Sequence, residues 1–426
     1  MVAANNVHRP LTEHWTAHSV PILLNVYSTL EFLQNIYKIE QHDGPLMWAA
    51  HLFTRTYVVN LRYPTAVSRE SNDETRKELA VYMSRTLQAV SHTLSTPRGA
   101  LRDDVLATVW ILASYEILVG SLSRDARSQD VSPWDLHTLG LYHILKARGT
   151  ARLKTESDRS AFWPAFNMVQ IQALVSQKEC PPESNLWLDT VERYSDSSDG
   201  MPLQVARFVN KVAVVVTRTL TILRSGDLAA AASEYLALWT RLTTAERCLN
   251  DWIDTQPALE HEFDPYMRNL QYSAIITGYH VMQLLVNLMT HSIACPVPIE
   301  DVFAHRRYCL QSIRVASCGV IDNVPYAMGP FAKGRDKSPR VLFDALKLVW
   351  PLSAIYIVPT TRPEHKEAAR QVLQFIGNEV GVLQALNARP TKVDLPQEML
   401  APRDVGEPLG VPWVSPPSNE FDLGLD

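Results

Sequence analysis

Two polar side chains of complementary chemistry fall inside apolar helical patterns of this sequence. Glu116 lies on the same helical stripe as Leu106, Val109 and Ala113, and His137 lies on the stripe of the next helical segment. A carboxylate and an imidazole in contact can move a proton to or from a substrate. Without a substrate, the same two buried groups form a core ion pair. We favour the core ion pair, because a buried carboxylate needs a partner.

A second ion pair is predicted at the opposite end of the same two segments. The connection between them is short, so the two helices should pack antiparallel. Glu116 and His137 would meet at one end, and Arg148 would then approach Asp103 or Asp104 at the other.

The limits of the second segment are clear from its residues. Ser132 suits the N-cap, Pro133 the first helical position, and Asp135 the third position after the cap. Gly149 follows Arg148, where a helix commonly ends on a residue with positive φ. A helix is therefore expected between Ser132 and Gly149.

Four polar side chains inside apolar helices are candidates for the lining of a small-molecule pocket. They are Glu116, His137, His280 and Asn287. An apolar pocket with a few convergent polar groups would favour binding or conversion of a small metabolite. Each of the four is more easily interpreted as a core group with satisfied hydrogen bonds. An enzyme is therefore the less favoured interpretation, and the ligand is not identified by these residues.

The sequence contains none of the familiar metal, hydrolase or nucleotide motifs. Its cysteines include no C-x2-C pair, so no paired-cysteine zinc site is predicted. No cofactor is predicted either. The patterns H-E-x-x-H, G-x-S-x-G, the P-loop and G-x-G-x-x-G are also missing. The five cysteines are Cys180, Cys248, Cys295, Cys309 and Cys318.

The overall charge argues against a free-standing nucleic-acid binder. The formal net charge is −5, whereas phosphate neutralisation by basic residues supplies most non-specific affinity for DNA. We therefore expect no sequence-specific DNA binding from this chain alone. The most apolar stretch, residues 275–293, is interrupted by histidine, glutamine and asparagine side chains, and no membrane span is predicted.

Apolar spacing along the chain predicts an all-α protein of about a dozen helices, since no run alternates with a period of two. One large helical domain is expected over residues 10–389, followed by a Pro-rich, disordered tail over residues 390–426 that ends in mixed acidic and apolar residues. The predicted helices are Leu11–Ile39 with a break near Pro21, Leu46–Asn60, Asn72–Thr93, Asp103–Val119, Pro133–Ala147, Ala161–Ser176, Leu186–Tyr194, Leu203–Leu223, Asp227–Ile253, Tyr266–Ile293, Ile299–Val315, Arg340–Ile357 and Pro363–Asn387.

The region around the two central segments resembles the fungal-specific transcription factor domain, the regulatory half of six-cysteine zinc-cluster regulators. The likeness is carried by an apolar helix followed by a short polar insert and a Trp-His-Gly-Arg-Gly order. These motif residues are Tyr115, Glu116, Trp134, His137, Gly140, Arg148 and Gly149. Segments 11–18, 350–352 and 375–381 resemble the opening and closing helices, so the likeness spans residues 11–389.

Two features depart from the family pattern. The six-cysteine cluster has no counterpart, and the ten residues before the opening helix are too few to hold one. The stretch 166–170 is neutral where the family usually carries a basic helix containing arginine. The second departure puts the usual partners of this surface in doubt.

The resemblance implies a nuclear regulator of transcription, associated with a biosynthetic gene cluster. Three explanations account for the missing cluster. The chain could act through a partner that binds DNA, such as an intact DNA-binding regulator; a homo-oligomer is the other assembly expected. An upstream exon could be missing from the sequence. Alternatively, the helical domain could have been recruited in the cytoplasm to bind or convert a small metabolite.

Overall fold

The computed structural model describes residues 8–39, 44–62, 73–121, 131–195, 199–255, 298–334, 338–358 and 360–388. Within these ranges the chain forms thirteen α-helices and no β-strand. The predicted all-α class is therefore confirmed. None of the described helices is long and apolar enough to cross a membrane.

The helices follow one another with short connections wherever the chain is described. Short 3-10 segments stand at Gly99–Leu101, Thr150–Leu153 and Leu383–Asn387. The helices are α1 His8–Val26, α2 Glu31–Ile39, α3 Pro45–Arg62, α4 Asp73–Leu94, α5 Asp103–Val119, α6 Pro133–Arg148, α7 Glu156–Val175, α8 Ser184–Tyr194, α9 Gly200–Ser225, α10 Leu228–Asp254, α11 Ile299–Ala332, α12 Arg340–Ile357 and α13 Pro363–Asn378.

Helix α5 lies at the centre of the structure. Its residues are apolar around the whole circumference, which is the pattern of a helix covered on every side. It contacts α2, α3, α4, α6, α7, α12 and the 3-10 segment at 383–387. Elements from both ends of the described chain therefore cover the same helix.

Aromatic packing around Tyr27 joins the two ends of the chain. Its ring centroid lies 5.7 Å from Phe53, 4.8 Å from Trp110 and 5.0 Å from Phe343, which belong to α3, α5 and α12. Tilted and edge-on contacts at such separations add to the apolar burial itself. The main hydrophobic core accordingly includes residues from Val20 to Ala385.

A second apolar cluster forms between α9 and α10. It contains most of the buried side chains of these two helices, among them Val212, Val216 and Leu238. Buried residues of α7, α11 and α12 also join it, including Leu174 and Cys309. The apolar residues whose spacing predicted the long helices α9 and α10 are thus the residues that pack these helices together.

The predicted break in the first helix was misplaced. Helix α1 continues through Pro21 to Val26, and the chain turns only at Tyr27–Leu30, where the amide of Leu30 donates to the carbonyl of Tyr27. A proline inside a helix removes one hydrogen bond and crowds the preceding turn. Burial of Val20 and Leu23 on either side of the proline favours the continued helix.

Two other predicted boundaries also need correction. Helix α11 does not stop at Val315 but runs to Ala332, with Pro325 and Pro330 inside it. The last predicted helix ends at Asn378, because Gly381 adopts a positive φ of 82° and a 3-10 segment follows. Apolar spacing continues across that turn, so periodicity alone did not reveal it. The predicted helix at 266–293 and the tail at 390–426 lie outside the described residues.

The end of α5 is held by side-chain amides from distant parts of the chain. Asn60 donates to the carbonyls of Leu118, at 3.2 Å, and Gly381, at 2.8 Å. Asn387 donates to the carbonyl of Gly120 at 2.7 Å. Gly120 has φ +74°, and a Cβ built there would lie 2.8 Å from the amide nitrogen of Asn387. Helix α5 therefore ends against the 383–387 segment with no room for a side chain.

We predict that Gly120→Ala destabilises the protein more than Gly226→Ala. Both glycines have left-handed backbones, with φ +74° and +64°, so alanine costs about 1 kcal/mol at each. Nothing lies within 4 Å of a Cβ at Gly226. The added methyl at Gly120 should cost a further ~1 kcal/mol or more through overpacking. Urea unfolding of the two variants and the parent measures the difference.

Equal decreases in the free energy of unfolding for Gly120→Ala and Gly226→Ala would contradict this packing. In that case the 383–387 segment would not be held tightly against the end of α5.

Candidate functional site

The motif residues lie on α5 and α6, which pack antiparallel. Nε2 of His137, near the start of α6, lies 3.4 Å from Oε1 of Glu116, near the end of α5. At the other end, Nη2 of Arg148 donates to Oδ1 of Asp103 at 2.5 Å. Both expected contacts are present. Of the two aspartates considered, Asp103 rather than Asp104 accepts from Arg148, because Asp104 bonds to Arg102.

Glu116 is enclosed by internal partners. Its side chain is 5% exposed, and Oε2 accepts a hydrogen bond from the hydroxyl of Ser121 at 2.5 Å. The side chain of His137 is 16% exposed. A general base must reach the proton that it takes from a substrate. The carboxylate instead faces Ser121 and His137, and this arrangement fits a structural contact.

Tyr115 and Trp134 pack α5 and α6 against neighbouring helices. Burial raises the pKa of Tyr115 to about 12, and its side chain packs against the buried cluster of Leu52, Tyr82 and Leu112. The indole of Trp134 is 1% exposed. Its ring centroid lies 5.5 Å from that of Trp350 in α12. The two tryptophans that sequence analysis assigned to separate motifs therefore pack together.

The cap of α6 forms as the sequence predicts. The hydroxyl of Ser132 accepts from the amide of Asp135 at 3.1 Å, and Pro133 occupies the first turn. At the other end, the amide of Gly149 donates to the carbonyl of Leu145 at 3.0 Å. Asp135 also accepts from Gln172 of α7 at 3.2 Å.

The two motif glycines differ in what their positions require. Gly149 has φ +61° and ψ −169°, a combination that is essentially restricted to glycine. Gly140 has no positive φ, and a Cβ there would lie 3.5 Å from Val109, an ordinary contact. The backbone therefore needs glycine at 149, whereas no steric requirement for glycine is visible at 140.

Arg148 is the best satisfied polar group of the motif. It is 4% exposed, and besides its bond to Asp103 it donates to the carbonyl of Leu101 at 3.0 Å. It also lies 3.8 Å from Asp158. Arg152 donates to the same carbonyl and the same aspartate, each at 3.0 Å. Two arginines and two aspartates thus tie the start of α5 to the end of α6 and the start of α7.

The four pocket candidates do not come together in the described part of the structure. His280 and Asn287 lie outside the described residues. Glu116 and His137 do not line the cleft described below. Among the described residues, no group of three or more histidine, cysteine, aspartate or glutamate side chains is arranged to hold a metal ion.

Sequence reasoning missed a buried polar cluster between α7 and α9. Arg159 donates through Nε to Oδ2 of Asp199 at 2.5 Å, and Trp163 donates through Nε1 to Oδ1 of the same carboxylate at 2.7 Å. All three side chains are buried. The four-residue spacing of Arg159 and Trp163 on an apolar helix was the available signal. Asp199, 36 or more residues away, had none.

A second missed group lies between α1 and α3. The hydroxyl of Ser19 contacts Nδ1 of His51, and both side chains are buried. Burial lowers the pKa of His51 to about 4, so the imidazole is neutral near pH 7. Trp48 and Tyr82 pack on the imidazole ring with centroids at 5.6 Å each. The histidine is thus a core residue between aromatic neighbours.

The fold and the site together define an all-helical domain whose motif side chains join α5, α6 and their neighbours. The model of the fungal specific transcription factor domain family matches residues 17–295, more than half of the 426 residues. The chain belongs to this family, and the resemblance inferred from the motif residues is confirmed. No curated protein and no solved structure matches the chain. The likeness proposed beyond residue 295 stays a prediction.

We predict that His137→Ala lowers the free energy of unfolding by about 1–3 kcal/mol, because Oε1 of the buried Glu116 loses its imidazole partner. Glu116→Gln should cost less, since an amide oxygen still accepts from Ser121 and no buried carboxylate remains. His143→Ala, at an exposed position of the same helix, should stay within about 0.5 kcal/mol of the parent. Urea and thermal unfolding measure all three.

A melting curve for His137→Ala that overlays the parent curve would contradict a stabilising contact between Glu116 and His137. It would also restore the functional interpretation of this histidine.

Proposed function

We propose that this chain is a nuclear, transcription regulator-like protein that acts through a partner that binds DNA. The observation that carries the proposal is the family match over residues 17–295, which covers both motif helices. A link to a biosynthetic gene cluster is a further prediction from the family, and no contact in the structure bears on it.

The charge and the cysteines of the chain support a role for a separate DNA reader. The net charge of −5 offers no excess of basic residues for phosphate neutralisation. The five cysteines contain no C-x2-C pair with which to build the zinc cluster of this class of regulator. The partner would be an intact zinc-cluster regulator or an assembly that contains one.

The competing function is binding or conversion of a small metabolite. As a catalytic pair, Glu116 and His137 would have to expose a reactive atom to a substrate. The contacts of Glu116 with Ser121 and His137, and its 5% exposure, favour a packing role instead. A separate cleft, which neither Glu116 nor His137 lines, gives better support for metabolite binding.

We predict that the purified chain binds duplex DNA weakly and without sequence preference, with a dissociation constant no tighter than about 1 μM at physiological salt. The reason is the lack of both a basic surplus and a paired-cysteine cluster. A mobility-shift titration on promoter fragments and on shuffled duplexes of equal length measures affinity and preference.

A nanomolar complex that distinguishes the promoter from the shuffled duplex would contradict the need for a separate DNA reader. Elemental analysis of the same preparation provides a second check, because one equivalent of zinc per chain would reveal a metal site that the cysteine spacing does not predict.

The regulatory role itself is tested by tethering. We expect the chain, fused to an unrelated bacterial DNA-binding domain in a fungal host, to change transcription of a reporter that carries the matching operator. Trp134→Ala removes the buried indole that packs between α6 and α12. The loss should lower the free energy of unfolding by about 3–5 kcal/mol, so the fused variant should no longer change transcription. The DNA-binding domain alone is the baseline.

Unchanged transcription on both a basal and an activated reporter, with the fusion present at normal abundance in the nucleus, would contradict a regulatory role.

A further inference from the structure

A cleft of about 710 Å³ opens beside the start of α5. Its walls come from α2, α3, α4, the start of α5, the 3-10 segment Thr150–Leu153 and α7. Clefts that hold organic ligands usually measure about 300–1,000 Å³. The cleft therefore has the volume of a small-molecule site, although its lining contains none of the motif residues that sequence analysis proposed for a pocket.

The lining of the cleft mixes apolar and charged side chains. Phe32 and Ile36 of α2 and Ala89 of α4 are among its apolar members, whereas Arg102 and Arg152 are among its charged ones. A ligand that uses both kinds of side chain must carry an apolar body and a polar end.

Arg152 is positioned for recognition of an oxygen acceptor. Its Nη1 donates to Asp158 and its Nη2 donates to the carbonyl of Leu101, each at 3.0 Å. These two contacts fix the plane of the guanidinium, which has five N–H donors in total. The side chain remains 41% exposed and is part of the lining of the cleft.

The charges around the cleft argue against a highly charged ligand. Arg148 bonds to Asp103 and lies close to Asp158, which also accepts from Arg152, and Arg102 pairs with Asp104. The formal charges of these three arginines and three aspartates cancel, so a polyphosphate would meet no surplus of positive charge. A single carboxylate or sulfonate can instead use the planar donors of an arginine.

We propose that this cleft binds a small organic molecule with an apolar body and one monoanionic oxygen group. The apolar body lies against Phe32, Ile36 and Ala89, and the oxygen atoms accept hydrogen bonds from Arg152. The inference concerns binding by the purified chain and does not rest on the proposed regulatory role.

The test compares two probes that differ mainly in charge. 1-Anilinonaphthalene-8-sulfonate has an aromatic body and a sulfonate, whereas N-phenyl-1-naphthylamine has the same rings and no anion. In fluorescence titrations of the full chain we expect one saturable site. The sulfonate should bind about tenfold more tightly than the neutral probe, the size expected of one charge-assisted hydrogen bond.

Two variants with matched controls locate the site. Ala89→Trp places an indole in the cleft and should weaken both probes at least tenfold. Gln88→Trp, at the adjacent exposed position of α4, should leave both unchanged. Arg152→Gln should remove the preference for the sulfonate, whereas Arg218→Gln, at an arginine of α9 paired with Glu234, should retain it.

Several results would overturn the proposal. These are a non-saturable rise in fluorescence, unchanged affinity in Ala89→Trp, or a sulfonate preference that survives in Arg152→Gln. Far-ultraviolet circular dichroism checks that each variant is folded. If Ala89→Trp does not fold, Arg152→Gln decides the question, because loss of the preference supports the site and its persistence refutes it. The tethered reporter has a separate readout, so failure of either idea is distinguishable from failure of the other.

Discussion

Helix α5 must be covered on every side, and the rest of the structure depends on that requirement. Its apolar circumference leaves no face for water, and a single neighbour could cover only one stripe. The chain meets the requirement with α2, α3 and α4 from its first part, α6 and α7 from its middle, and α12 with the 383–387 segment from its end. The C-terminal elements therefore belong to the same core as the N-terminal ones, through contacts such as Tyr27 with Phe343.

Because α5 is covered on every side, its polar side chains must lie where a hydrogen-bond partner can reach them. Thr108 and Ser114 lie inside the covered stretch and donate to carbonyls four residues earlier, at 2.7 and 3.1 Å, so each is satisfied within its own helix. A carboxylate has no such donor within the helix and needs one from outside. Glu116 accordingly lies close to the C-terminal end, where Ser121 and His137 reach it. The two charged contacts of the motif, Glu116 with His137 and Arg148 with Asp103, lie at the ends of α5 for the same reason.

Sequence reasoning found the helices and the contacts between adjacent helices, because both follow from spacing along a short stretch of chain. The cap at Ser132, the contact of Glu116 with His137 and that of Arg148 with Asp103 are examples. It failed where the deciding partner is distant in sequence. The turn after Asn378 depends on Asn60 bonding to Gly381, and the cleft is assembled from α2, α4 and α7, which no local pattern connects.

Hydrogen bonds join the cleft to the family motif, although no side chain belongs to both. Arg148 of the motif and Arg152 of the cleft both donate to the carbonyl of Leu101, and Asp103, which lines the cleft, accepts from Arg148. An anionic group at Arg152 would therefore act first on the hydrogen bonds that join α5, α6 and α7.

The apolar interior of α5 would be unaffected by such a change, because close-packed side chains resist displacement. Hydrogen bonds at a helix end can be redistributed among several acceptors at smaller cost. Binding at the cleft could thus alter how α6 and α7 lie at one end of α5 while the core stays intact. The polar end of the central helix, rather than its centre, is where a ligand could influence the family motif.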